Sequence, residues 1–129
     1  RHKISGDITA SVTATLLDIA RGAGVITRAG FTLGNTGADA ADDLDAELDV
    51  LIGGVSIFTT KPKLTKAAAD GATSFVGGAG ITVGAINAAV DDVAANSNIT
   101  FTLTLTRTTP EDEIADADVF IDVAYKVGV

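Results

Sequence analysis

Cysteine, methionine and tryptophan are absent from this 129-residue chain, histidine occurs once, and proline twice. Without cysteine there is neither a disulfide framework nor a thiolate metal site, and the redox compartment leaves no trace in the sequence. A single histidine, His2, placed at the chain start, gives little support to a Ser-His-Asp arrangement, which needs an oriented imidazole; a solvated terminal residue is expected instead. Basic residues are few: 9 Lys and Arg face 17 Asp and Glu, for a net charge of −8. A field of that sign repels a phosphate backbone, so no nucleic-acid partner is expected. No apolar run approaches the roughly 18 residues of a spanning helix, and no signal-peptide block follows Arg1-His2-Lys3, so no membrane partner is expected either. The missing methionine at position 1 suggests a segment upstream that was cleaved or trimmed.

Alanine, threonine and glycine are plentiful, and aspartate greatly outnumbers glutamate, a mix compatible with a salt-adapted or a GC-rich source. The length predicts one domain over residues 1–129, able to bury a core without metal help. Period-two alternation dominates. Leu44, Ala46, Leu48, Val50 and Ile52 face inward while Asp45, Glu47 and Asp49 face water, the pattern of a half-buried strand. Gly53-Gly54 then reads as a two-residue hairpin turn, since primed turns need positive φ, and Val55 and Ile57 continue the alternation. Similar runs cover Ile8–Leu16, Val25–Leu33, Ile81–Ala85, Ile99–Thr106 and Val119–Val127, with threonine on several wet faces.

Turn chemistry separates the runs at Gly34–Gly37, Asp70-Gly71 and Gly77–Gly80, and Asp91–Asn98 is expected as an exposed loop tip. Ala38–Asp43 is expected as a loop, and Pro110–Glu113 as a polar connection with at most one helical turn. Strands without intervening long helices predict an all-β fold of about eight strands, an antiparallel two-sheet β-sandwich or a barrel.

Chemistry-bearing candidates are weak. Asp42, Asp43, Asp45, Glu47 and Asp49 could offer oxygens to Ca²⁺, but alternation spreads the last three along a strand and no loop glycine closes a ring, so a solvated face is expected and no metal site. Asp112, Asp116 and Asp118 could form a carboxylate couple, but a polar loop is the simpler reading. Gly77–Gly80 lacks the lysine and helix of a phosphate loop, and Asn98-Ile99-Thr100, a glycosylation acceptor pattern, is treated as incidental. Phe31, Phe58, Phe75, Phe101, Phe120 and Tyr125 are spread along the strands, which suits core filling better than a stacking platform. No catalytic residue or cofactor is implied. Phe120, Ile26 and Leu51, apolar residues on nominally wet faces, are the candidate subunit-interface residues.

Glu47–Leu64 with its Ser56-Ile57-Phe58-Thr59 to Pro62 phrase, Asp70–Phe75, Gly80–Val83, Thr100–Thr106 and Val119–Val127 together resemble small jelly-roll virion proteins of tailed phages. The resemblance implies a jelly-roll sandwich acting in the virion, on the capsid surface. The expected role is that of a non-enzymatic, homotrimeric capsid decoration protein that cements the major capsid protein by non-covalent contact. A head or tail fibre or spike module binding a host surface is the nearest rival, a carbohydrate-binding sandwich the next, and a small hydrolase the last. The loops Val90–Asn98 and Pro110–Asp118 are longer than a minimal version needs and are where contacts particular to this chain are expected.

Overall fold

The computed structural model describes residues 2–4, 11–17, 23–33, 45–65, 68, 72–106 and 119–127. Twelve strands and no helix occur among them: β1 (His2–Ile4), β2 (Val12–Leu17), β3 (Gly24–Leu33), β4 (Asp45–Ile52), β5 (Val55–Ser56), β6 (Phe58–Thr60), β7 (Lys63–Thr65), β8 (Ile81–Thr82), β9 (Ala85–Ile86), β10 (Asp92–Val93), β11 (Ile99–Thr106) and β12 (Val119–Val127). All-β character follows directly from the alternation. The count exceeds the expected eight because the middle of the chain is cut into strands of two or three residues by Gly53-Gly54, Pro62, Gly77–Gly80 and Gly84. The expected loop Ala38–Asp43, the Asp70-Gly71 turn and the Pro110–Asp118 connection, with Asp112, Asp116 and Asp118, lie outside the described residues.

Every pairing between these strands is antiparallel. One sheet runs β1-β12-β3-β10, a second runs β2-β11-β4-β7-β8 with β5 on β4, and β6 pairs with β9 alone. Both main sheets feed one apolar cluster. Ile26, Ala29, Phe31, Leu33, Val93, Val119 and Ile121 come from the first; Ala46, Leu48, Val50, Leu64, Ile99, Phe101 and Leu103 come from the second. Each fully buried large side chain contributes about 1.5–3 kcal/mol, so this cluster is what fixes strand register.

The Gly53-Gly54 turn is present, with φ of 59° and 81° and Ile52 opposite Val55. Beyond it the expected alternation fails. Ile57 N–H donates to the Val50 carbonyl at 3.0 Å, and the chain then leaves β4 to pair β6 with β9, so Ile57 is buried while Val55 is exposed. The Asp91–Asn98 tip is likewise only partly a loop, because Asp92 and Val93 pair with Val25 and Gly24 and Val93 is buried.

A second departure lies on β3. Arg28 opposes Ala124 and Ile26 opposes Tyr125, so Thr27 is an extra residue, a bulge. It shifts the alternation by one. Ile26, expected on the outer face as an interface residue, is therefore turned inward beside Ala29 and Phe31 and is 2% exposed. A side chain that deep in its own core makes no subunit contact.

Candidate functional site

The outer face of β3 and β12 carries a cleft of about 430 Å³ lined by Arg28, Thr32, Thr73, Phe75, Asp122, Val123 and Ala124. Its roof is the segment 72–75, which docks on the β3 edge through Leu33 N–H to Ala72 C=O and Ser74 N–H to Phe31 C=O, both 2.9 Å. Ser74 is buried, and its Oγ accepts the Phe31 N–H at 2.9 Å, so one serine satisfies both backbone groups of Phe31 on that edge. Phe75 then turns over the sheet. It can do so because position 30 is glycine: a Cβ there would sit 2.4 Å from Ser74 Oγ and 2.7 Å from Phe75 Cε1.

Arg28 lies over Phe75, its Cζ 3.8 Å from the ring centroid. A cation in that position is attracted by the negative face of the ring, by about 0.5–1 kcal/mol at an exposed site. The bulge at Thr27 aims Arg28 outward while Ile26 goes in, so the same irregularity that moved a core residue also built this cleft. With a guanidinium, the Asp122 carboxylate and two threonine hydroxyls, the lining suits a polar, hydroxyl-bearing ligand. Among the described residues, no imidazole or amine lines the cleft. Phe75 is half-buried and is not one of the core-filling aromatics.

His2 is also placed differently from its expected solvated position. It is half-buried on β1 opposite Ile121, with its ring 5.1 Å from that of Phe101 in the other main sheet. It bridges the two sheets. The acid ladder of β4 is matched by lysines: Lys61 Nζ is 3.3 Å from Asp49, and Lys63 Nζ is 4.0 Å from Asp45 and 3.9 Å from Glu47. Ser56 Oγ donates to the second oxygen of Asp49. Ammonium groups thus occupy the positions a cation would take, and among the described residues no group of three or more potential ligands assembles. Asp42 and Asp43 lie outside them.

Phe120 sits on the outer face of the first sheet, opposite Thr32 and Lys3, with Lys3 Nζ 5.8 Å from its ring centroid. Leu51 sits on the outer face of the second sheet beside Thr100 and Ser56. Both are half-buried, and they belong to different sheets, so the structure does not gather the three expected interface residues into one patch. Asn98, exposed, borders a smaller cleft of about 300 Å³ with Gly53, Gly54 and Thr100.

One surface went unread in the sequence. Val76 and Val83 are 64% and 43% exposed, and they lie in the part of the chain between Asp70 and Asp91, where no residue is charged. That gap in the charge pattern was the available signal. No family model, curated protein or solved structure matches this chain.

Proposed function

We propose that this chain is a jelly-roll virion structural protein, most concretely a homotrimeric capsid decoration protein that works by contact with the major capsid protein and not by catalysis. The observation that carries the reading is strand order. Taking β1, β2, β3, β4, β7, β10, β11 and β12 as successive principal strands 1 to 8, the main sheets read 1-8-3-6 and 2-7-4-5, with β8 and β5 as additions to the second. Pairs 1/8, 2/7, 3/6 and 4/5 are those of one long antiparallel ribbon, and pairs 8/3 and 7/4 arise when that ribbon is rolled into two layers. Rolled ribbons of this kind are the architecture of viral capsid and lectin domains. The phrase Ser56–Pro62 and the closing Val119–Val127 strand add the resemblance to phage virion proteins.

Cementing needs no reactive group. Surface buried across a junction between shell subunits adds association free energy, and the acidic remainder keeps particles apart in solution. Multi-angle light scattering of the purified protein is expected to give three times 12.9 kDa. A monomer at every concentration up to the millimolar range would remove the trimer from the proposal.

A lectin-like second reading is favoured by one feature, the Arg28–Phe75 cleft with its hydroxyl and carboxylate lining. It would serve a fibre module or a carbohydrate-binding domain. Glycan binding on a β-surface commonly uses several converging aromatic faces, whereas this cleft has one ring and Arg28 already covers it. On a glycan array, the decoration reading expects no signal; saturable binding abolished by Arg28→Ala would exchange the two readings.

A further inference from the structure

We propose that the cleft on the outer face of β3 and β12 is a carboxylate-binding site, in which Arg28 receives an acidic side chain of a partner protein. The site stands on the geometry of the cleft alone; only the protein source of the carboxylate rests on the decoration reading above.

Arg28 is held from one side and open on the other. Its Cζ lies 3.8 Å from the Phe75 centroid, closer than an N–H aimed into the ring would allow. The guanidinium therefore lies along the ring and keeps the N–H donors of its edge for other acceptors. The platform beneath it is fixed: Gly30 lets Phe75 close on the sheet, Ser74 accepts the Phe31 N–H, and Phe75 N–H donates to Thr73 Oγ1 at 3.4 Å. On the other flank Thr27 Oγ1 donates to the Ala124 carbonyl at 3.3 Å. A cation already in place loses little freedom when a ligand arrives.

Arg28 is also uncommitted. The ion pairs found among the described residues join Lys61 and Lys63 to the acids of β4, and none includes Arg28. A planar guanidinium edge matches a carboxylate through two parallel N–H···O bonds. Asp122, opposite Gly30 and so diagonal to Arg28, borders the same cleft and accepts donors, while Thr32 and Thr73 offer hydroxyls. The ligand that suits this lining is a carboxylate with an N–H or O–H group beside it.

The overall charge of −8 does not forbid an anion here. In the row beyond Arg28, Lys126 and Asp92 flank Val25, so on this face Arg28 and Lys126 balance Asp92 and Asp122. The acids of β4 belong to the other main sheet, and charges beyond about 8 Å are largely screened at physiological salt. A protein is favoured over a sugar as the source, because the one ring in the cleft is already covered by Arg28 and leaves no bare aromatic face for a pyranose.

The test titrates the isotope-labelled protein with N-acetyl-glutamate amide, which carries one side-chain carboxylate beside amide N–H groups, and follows the backbone amides by NMR. Saturable shifts are expected at Arg28, Thr32, Thr73, Phe75 and Asp122. N-acetyl-glutamine amide has the same shape without the charge and is expected to bind about tenfold more weakly, since hydrogen bonds between charged groups are the strong ones. Arg28→Ala is expected to abolish saturation, and Arg28→Lys to weaken binding because an ammonium keeps the charge and loses the fork. Phe75→Leu is expected to weaken it as well by removing the platform. Arg28 is exposed, so its variants are expected to melt like the wild type.

Equal affinity for the two amides, no saturation by either, or binding that survives Arg28→Ala overturns the site and leaves the trimer to its own light-scattering test. Glucuronate that binds more tightly than N-acetyl-glutamate amide, and is lost in Arg28→Ala, supports the carboxylate site while overturning its protein source, and the decoration reading with it.

Discussion

Ser74 and Gly30 illustrate how two small residues decide whether the cleft exists. Ser74→Ala leaves the Phe31 N–H without its acceptor in a buried place, and such a group costs about 1–3 kcal/mol. Urea denaturation is expected to register that loss as a lower midpoint with an unchanged slope. Gly30→Ala has a different cause, since the new methyl collides with Ser74 Oγ and the Phe75 ring. Overpacking of this kind costs about 1–3 kcal/mol. Combined, the two substitutions are expected to be less than additive, because each alone already loosens the 72–75 roof. A fully additive pair would mean that they do not share it. Little of this was legible in sequence. A glycine inside an apolar run marks a close approach, but nothing in the letters says what approaches it, and His2 gave no hint of the Phe101 ring across the core.

Among the elements, the Gly53-Gly54 hairpin was the most readable and the bulge on β3 the least. A two-residue turn is a local decision, set by φ and by the alternation on either side. Both glycines have φ in the left-handed region, and a Cβ added at either would meet only open space. Gly53→Asn is therefore expected to be nearly neutral, within a few tenths of a kcal/mol, while Gly54→Val should cost about 1–2 kcal/mol through backbone strain alone. Thermal melts of the two variants check this. The bulge at Thr27 is a different matter, since alternation read through an extra residue inverts every assignment beyond it. That single slip put Ile26 on the outside along with Arg28, when only Arg28 points there. Deleting Thr27 is expected to leave the fold standing, because Ile26 and Arg28 already oppose the consecutive residues Tyr125 and Ala124 and would then alternate regularly, with Ile26 and Ala29 still inward. A melt far below that of the wild type would mean that the bulge itself stabilises β3.

At the scale of the whole molecule, what sequence supplied was class and polarity: antiparallel strands throughout and acids outside. The short strands β5, β8 and β9 merge in the sequence into longer alternating runs because two residues cannot display a period of their own, and the exposure of Val76 and Val83 escaped because it is a property of the assembled surface.

The pairing of β1 with β12 has a temporal consequence. His2–Ile4 leaves the ribosome more than a hundred residues ahead of its hydrogen-bonding partner, Val119–Ile121. β2 must similarly wait for β11, and β3 for β12. During synthesis β1, β2 and the length of β3 that pairs with β12 therefore stand with ladder groups unsatisfied until β11 and β12 emerge. Chains whose partners lie so far apart refold in milliseconds to seconds instead of microseconds, so a nascent copy spends that interval open to mispairing with its neighbours.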